Sequence, residues 1–183
     1  CHSLIIGATG TGKTVSFIEP ALQICSSLKN KPSLFVTDAK GELYSHHSLK
    51  LKEAGIGTYI LFQETYHKES YEALHPTGPK HDYAWHTEAM DRAMEGGVND
   101  VGIGALFGLG DYRFEVLAMM EHAAHLERCY GCGPHTVSVP RMEPAVGAPD
   151  AENVPNPVSD DDFKKIVAII RIALPYTGII LST

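Results

Sequence analysis

Short apolar runs of strand length alternate with longer stretches of helical periodicity along the chain. The strand-like runs stand at Ser3–Ile6, Ser33–Thr37, Thr58–Gln63, Val101–Phe107, His135–Val139 and Gly178–Ser182. Between the last of these, Val116, Met119, Met120, Ala123, Leu126 and Tyr130 fall on one face of a helix. Phe163, Ile166, Val167, Ile170 and Leu174 do the same on a second helix. It has Ser159 and Asp162 in capping-box spacing, acids in its first turn and Pro175 just past its end. A further helix begins near Asp82 and is stopped by Gly96-Gly97. Residues 144–158, with four prolines, predict a surface loop. The later strands recur about every 34 to 43 residues, which predicts βα units on a parallel sheet, the α/β class.

Composition narrows this picture only slightly. At 183 residues, 44% apolar and 20% charged, the chain has the make-up of an ordinary globular protein. No apolar run reaches the roughly 18 residues of a membrane span, and no signal peptide opens the chain. The first residue is Cys1, already within a strand-like run, and the last residues, Gly178–Thr183, are again strand-like, so both ends read as cut. Charge is uneven. Residues 1–50 carry five Lys and three acids, whereas residues 51–183 carry ten Lys and Arg and nineteen acids. That asymmetry is compatible with two origins, and the acidic majority argues against a nucleic-acid surface on the larger piece. The four cysteines predict reduced thiols with no disulfide framework.

The first chemical signal is Gly7-Ala8-Thr9-Gly10-Thr11-Gly12-Lys13-Thr14, which follows a strand and opens a helix. This is the spacing of a phosphate loop. Gly7, Gly10 and Gly12 let backbone N–H groups wrap phosphates at a helix N-terminus. Lys13 would reach the β- and γ-phosphates of ATP, and the Thr14 hydroxyl would meet Mg²⁺. The bland alternative is a glycine-rich turn that binds nothing. With Pro20 interrupting the next helix and Thr37-Asp38-Ala39-Lys40-Gly41-Glu42-Leu43-Tyr44 ending the second strand, residues 1–52 resemble the TraG-type coupling ATPases of type IV secretion. Ala39 departs from the family's usual proline. Asp38 is not read as the Mg²⁺-binding aspartate, which that family places much further along.

A second signal starts after Lys52. The stretches FQETYH at 62–67, LHPTGPKHDY at 74–83, AMDRAMEGGVNDVGIGALFGL at 89–109, GPHTVSVPR at 133–141 and LPYTGIILST at 174–183 resemble the radical-SAM tyrosine lyase that matures iron–iron hydrogenase (HydG type), a relative of 2-iminoacetate synthase. The resemblance implies that residues 53–183 are roughly half of a TIM-like βα barrel. It implies S-adenosylmethionine and a 4Fe–4S cluster as cofactors, tyrosine as substrate, hydrogenase maturation proteins as partners, and the cytoplasm of an anaerobic bacterium as location. Barrel ligands meet the C-terminal ends of strands, which makes Gln63, Glu64, Tyr66 and His67 pocket candidates. Glu64 is the candidate for the cofactor's ammonium or ribose, with a capping cluster as its bland alternative. Gly102 and Gly104 resemble the glycine-containing strand that binds adenine through its backbone. His135, Thr136, Ser138 and Arg141 line another strand, and Arg141 could grip a carboxylate bidentately. His86 falls where several relatives carry an arginine for the cofactor carboxylate.

Cys129-Tyr130-Gly131-Cys132 invites a metal reading, but it lacks a second ligand pair and reads as two incidental cysteines at a helix end. None of the four cysteines forms the C-x-x-x-C-x-x-C that holds the cluster; the family places that motif upstream of the matched region. Three readings remain: a piece of a radical-SAM lyase, a secretion ATPase, or a composite with no activity of its own joined between Leu51 and Gly57.

Overall fold

The computed structural model describes residues 19–29, 57–78, 80–144 and 149–182. The phosphate loop at 7–14, the strands expected at Ser3–Ile6 and Ser33–Thr37, and the region of the expected join up to residue 56 lie outside the described residues. Near the start, α1 spans Glu19–Ser27. The remainder runs β1 (Tyr59–Ile60), α2 (Lys68–Leu74), α3 (Tyr83–Thr87), α4 (Ala89–Glu95), β2 (Val101–Gly104), α5 (Tyr112–Tyr130), β3 (Thr136–Pro140), α6 (Pro149–Glu152), α7 (Asp160–Ala173) and β4 (Gly178–Ser182).

The four strands form one parallel sheet in the order β1-β2-β3-β4. Each strand therefore lies beside its sequence neighbour, with helices crossing between them, which is the build of a βα barrel wall. Pairing extends beyond the regular strands: Gln63 N donates to Gly104 O at 2.9 Å, and bridges join Glu64 to Ala105 and Phe107 to Arg141.

Strand alternation sorts the two faces. Tyr59, Leu61, Val101, Ile103, Ala105, Val137 and Val139 pack against the helices and are buried. The α5 face contributes Val116, Met119, Ala123 and Leu126, and α7 contributes Phe163, Ile166 and Ile170, as the periodicity predicts. The opposite face carries Ile60, Phe62, Gly102, Gly104, Thr136, Ser138 and Ile180. Ile60 is 44% exposed, Phe62 37% and Ile180 42%. In a closed barrel this would be the interior face.

Local chemistry sets the helix ends. Ser159 caps α7 by accepting from Asp162 N at 3.2 Å, in the expected spacing. At the end of α5, Gly131 takes the left-handed conformation, φ 76°, which a side chain would disfavour. Two expectations need correction. The single helix from Asp82 to Gly96 is two helices meeting at Glu88 (φ −80°, ψ 9°). There the Thr87 hydroxyl donates to Tyr83 O at 2.8 Å, a back-bond of the kind that bends helices. The proline-rich segment 144–158 also contains a helical turn, α6.

Candidate functional site

The C-terminal end of β1 is the most unusual piece of backbone. Glu64 is the only non-glycine with positive φ among the described residues, at 68°. An L-residue held there costs on the order of 1 kcal/mol and persists only where its surroundings enforce it. Its carboxylate forms an ion pair with Lys80, delivered by the turn before α3, and lies 3.5 Å from His75 Nε2. All three side chains are partly exposed, at 28%, 22% and 16%. Glu64 does not cap a helix. His67 caps α2 instead, accepting from Ser70 N.

Behind this carboxylate stands an aromatic wall. Tyr71 is fully buried and stacks on His75 at 4.4 Å, meets Tyr83 edge-on at 5.3 Å and tilts against His86 at 5.6 Å. Burial, with the Glu64 charge second, raises the Tyr71 pKa. His86 Nε2 lies 3.0 Å from the Phe62 carbonyl, to which it donates. Burial lowers its pKa below the usual histidine value despite that bond. His86 is thus a neutral hydrogen-bond donor to the backbone, and the nearest cation to Glu64 comes from Lys80.

On the interior face, glycines make room for neighbouring strands. A Cβ on Gly102 would lie 2.6 Å from Thr136 Oγ1 and 2.8 Å from Ile60 Cγ1. One on Gly104 would lie 2.8 Å from Ser138 O and 2.9 Å from Phe62 Cδ1. The strand register stacks these as two layers, Ile60–Gly102–Thr136–Gly178 and Phe62–Gly104–Ser138–Ile180. Thr136 Oγ1 is buried with no partner among the described residues.

Five of the ten pocket candidates therefore share one face or its upper rim: Glu64, Gly102, Gly104, Thr136 and Ser138. The other five stand elsewhere. Gln63 alternates onto the helix side and is 4% exposed, its amide nitrogen without a partner among the described residues. Tyr66 is buried against α5, its hydroxyl 2.9 Å from His122 Nδ1. His67 packs edge-on to Phe114. His135 is exposed at the N-terminal end of β3, the opposite end of the sheet from Glu64. Arg141 pairs with Asp160 at 2.6 Å and Glu143 at 3.1 Å, and lies over the Phe163 ring. Its guanidinium thus joins β3 to the start of α7. Sequence reasoning missed Lys80 as the partner of Glu64, and it missed Glu115. The signal for Glu115 was an acid on the apolar stripe of α5, four residues before Met119.

The Glu64 carboxylate, paired with Lys80 and close to His75, suits a ligand carrying an ammonium or hydroxyls. A three-cysteine cluster site does not fit. Cys129 is exposed and Cys25 and Cys132 half-buried, and no group of three metal-ligating side chains occurs among the described residues. Cys129 stands instead 3.7 Å from His125 Nδ1, and His125 pairs with Asp91 at 2.6 Å on the outer surface. No described helix is long and apolar enough to cross a membrane.

Comparison with known proteins gives first the class. Residues 138–183 match the family model of the biotin and thiamin synthesis associated domain. The parallel βα arrangement resembles part of a radical-SAM barrel. The chain is 30% identical to 2-iminoacetate synthase of Escherichia coli over 135 residues, which is 73% of this chain and 35% of that protein. The crystal structure of HydG, a maturase of the FeFe-hydrogenase, superposes with a TM-score of 0.75 at 49% identity, over 91% of this chain and 38% of that one. HydG from Carboxydothermus hydrogenoformans does so at 0.75 and 43%, over 98% and 41%. The chain thus spans well under half the length of these relatives. The resemblance to the HydG and 2-iminoacetate synthase group is supported, and the secretion-ATPase resemblance gains no support from it.

Proposed function

We propose that residues 53–183 form the S-adenosylmethionine-facing wall of a radical enzyme of the HydG and 2-iminoacetate synthase type, with tyrosine as the substrate of the whole protein. The observation that carries this reading is the positive-φ Glu64 just past β1, its carboxylate paired with Lys80 at the C-terminal end of a sheet whose other face is lined by Gly102 and Gly104. In this reading Glu64 takes the cofactor's ammonium or ribose, exchanging Lys80 for the ligand. Gly102 and Gly104 leave the backbone of β2 accessible to the adenine. When bound with its cluster, S-adenosylmethionine supplies the radical that starts the chemistry. The role proposed for the residues of this chain is to bind and orient the cofactor.

Saturation-transfer NMR with S-adenosylhomocysteine tests the reading. Adenine signals should appear with the chain and weaken strongly in Glu64→Gln. Absence of any transfer to the wild-type chain would overturn it.

A second reading rests on the spacing of Gly7, Gly10, Gly12, Lys13 and Thr14. Residues 1–52 would bind nucleotide phosphates with Mg²⁺ weakly, as a piece of a type IV secretion ATPase of separate origin joined between Leu51 and Gly57. ATP hydrolysis that disappears in Lys13→Ala would show a working motor; we expect none. Long sequencing reads across the join decide the composite origin.

A further inference from the structure

Glu115 is a buried carboxylate with no task in the site described so far. It lies in the first turn of α5 and is 1% exposed. It does not cap that helix, because Asp111 does so by accepting from Arg113 N. No cation pairs with it among the described residues. Both its oxygens are instead committed to the turn that follows β1. Oε1 accepts from the Thr65 hydroxyl and Oε2 from the Tyr66 amide at 2.8 Å. Gly110 leaves the space this needs, since a Cβ there would lie 3.0 Å from Glu115 Oε1.

Two more contacts tie the same turn to α5. The Tyr66 hydroxyl is hydrogen-bonded to His122 Nδ1 at 2.9 Å, and the two rings meet edge-on at 5.7 Å. His67 meets Phe114 at 5.6 Å. Residues 65, 66 and 67 are therefore each held by one helix, and the residue just before them is the left-handed Glu64. A strained backbone needs an external hold, and buried charge-assisted hydrogen bonds are among the strongest available.

We propose that Glu115 is a positioning residue: by clasping Thr65 and Tyr66 it holds the positive-φ turn at Glu64, which the Thr65 amide closes by donating to Gln63 O at 2.9 Å, and thereby sets the direction of the Glu64 carboxylate. The proposal rests on the reading of Glu64 as a ligand-facing group, but the clasp itself is testable without ligand. In Glu115→Gln the side-chain oxygen can still accept from Tyr66 N while its amide donates to Thr65 Oγ1, so the clasp survives. In Glu115→Leu it cannot.

Amide hydrogen exchange and the binding of S-adenosylhomocysteine to the full chain provide the test. Loss of the hydrogen bond to Glu115 should speed exchange of the Tyr66 amide about tenfold in Glu115→Leu, with the amides between β2 and β3 unchanged and Glu115→Gln, which keeps a neutral bond, well below that. Glu115→Leu should weaken probe binding by about the same factor, yet add nothing in a Glu64→Gln background, because it acts through Glu64. Should Glu115→Leu fail to fold, Thr65→Val removes one clasp bond at similar volume and should speed Tyr66 exchange about threefold. Unchanged exchange at Tyr66, or equal weakening of binding in both backgrounds, overturns the proposal. If exchange responds as stated but the wild-type chain binds no probe, the site reading fails and the clasp stands.

Discussion

At the residue scale, a half-buried histidine and a buried carboxylate on α5 carry pH effects of opposite sign. Burial lowers the His122 pKa to about 4, with the Asp91 charge opposing and His125 assisting. Because the unfolded imidazole titrates near 6.5, acidification through that window protonates the unfolded chain first and so favours unfolding. The stability tied to neutral His122 is present in full above pH 6.5 and is lost as the pH falls towards 4, up to about 3 kcal/mol. Glu115 acts in the other direction. Burial raises its pKa against the bonds from Thr65 and Tyr66, so it weakens the fold as the pH rises from 4.5 through its raised value. Urea unfolding at pH 4.5 and 7 should therefore show a smaller loss on acidification in His122→Gln than in the wild-type chain. An unaltered pH slope would show that His122 is not held neutral.

Residue identity, in contrast to residue position, was largely legible. FQETYH marked the end of β1, and the glycines of Val101–Gly104 marked the strand that neighbours crowd. The sequence could not show which way each side chain turns. Arg141 sits at the rim like the others, but the acids at 143 and 160 claim its guanidinium. Tyr66 and His67 follow a left-handed residue, which rotates them onto α5. That rotation depends on Glu115, 51 positions beyond Glu64, and no local pattern announces it.

At the element scale, β2 is the strand least tolerant of change. The obstacle to a methyl at Gly104 is the backbone carbonyl of Ser138, so neither rotamer change nor side-chain retreat relieves it. Gly104→Ala should cost about 1–3 kcal/mol by overpacking, more than Gly57→Ala, where nothing lies within 4 Å. Thermal melts of the two variants compare them directly. At the start of α7, Ser159→Ala should cost about 1 kcal/mol through the lost cap; a denaturant midpoint equal to wild type would contradict the capping geometry. Elements with strong periodicity, α5 and α7, were legible because one face of each is buried along its whole length. The break at Glu88 was not, since it depends on a single hydroxyl finding a carbonyl within an otherwise helical pattern.

On the scale of the whole molecule, the sheet has one covered face and one that remains partly open. Ile60 and Phe62, on and just past β1, and Ile180 on β4 contribute exposed apolar surface at the outer strands of the sheet among the described residues. Such surface drives association. The isolated chain should sediment as concentration-dependent oligomers, and Phe62→Ser should shift the distribution towards monomer. A monodisperse monomer at high concentration would count against an open interior face.

The order β1-β2-β3-β4 also governs how the molecule comes into being. Among the described residues each strand after β1 pairs with the one made just before it, so loop closure there never spans more than a single βα unit, and the entropic cost of each docking step stays modest. A chain emerging from the ribosome can add one strand and its helix at a time, each finding its partner already synthesised. The clasp of Glu115 on Thr65 and Tyr66 is the exception to that vectorial sequence. It cannot close until α5 has been made, so the strained turn at Glu64 must be among the later features of the first two units to become native.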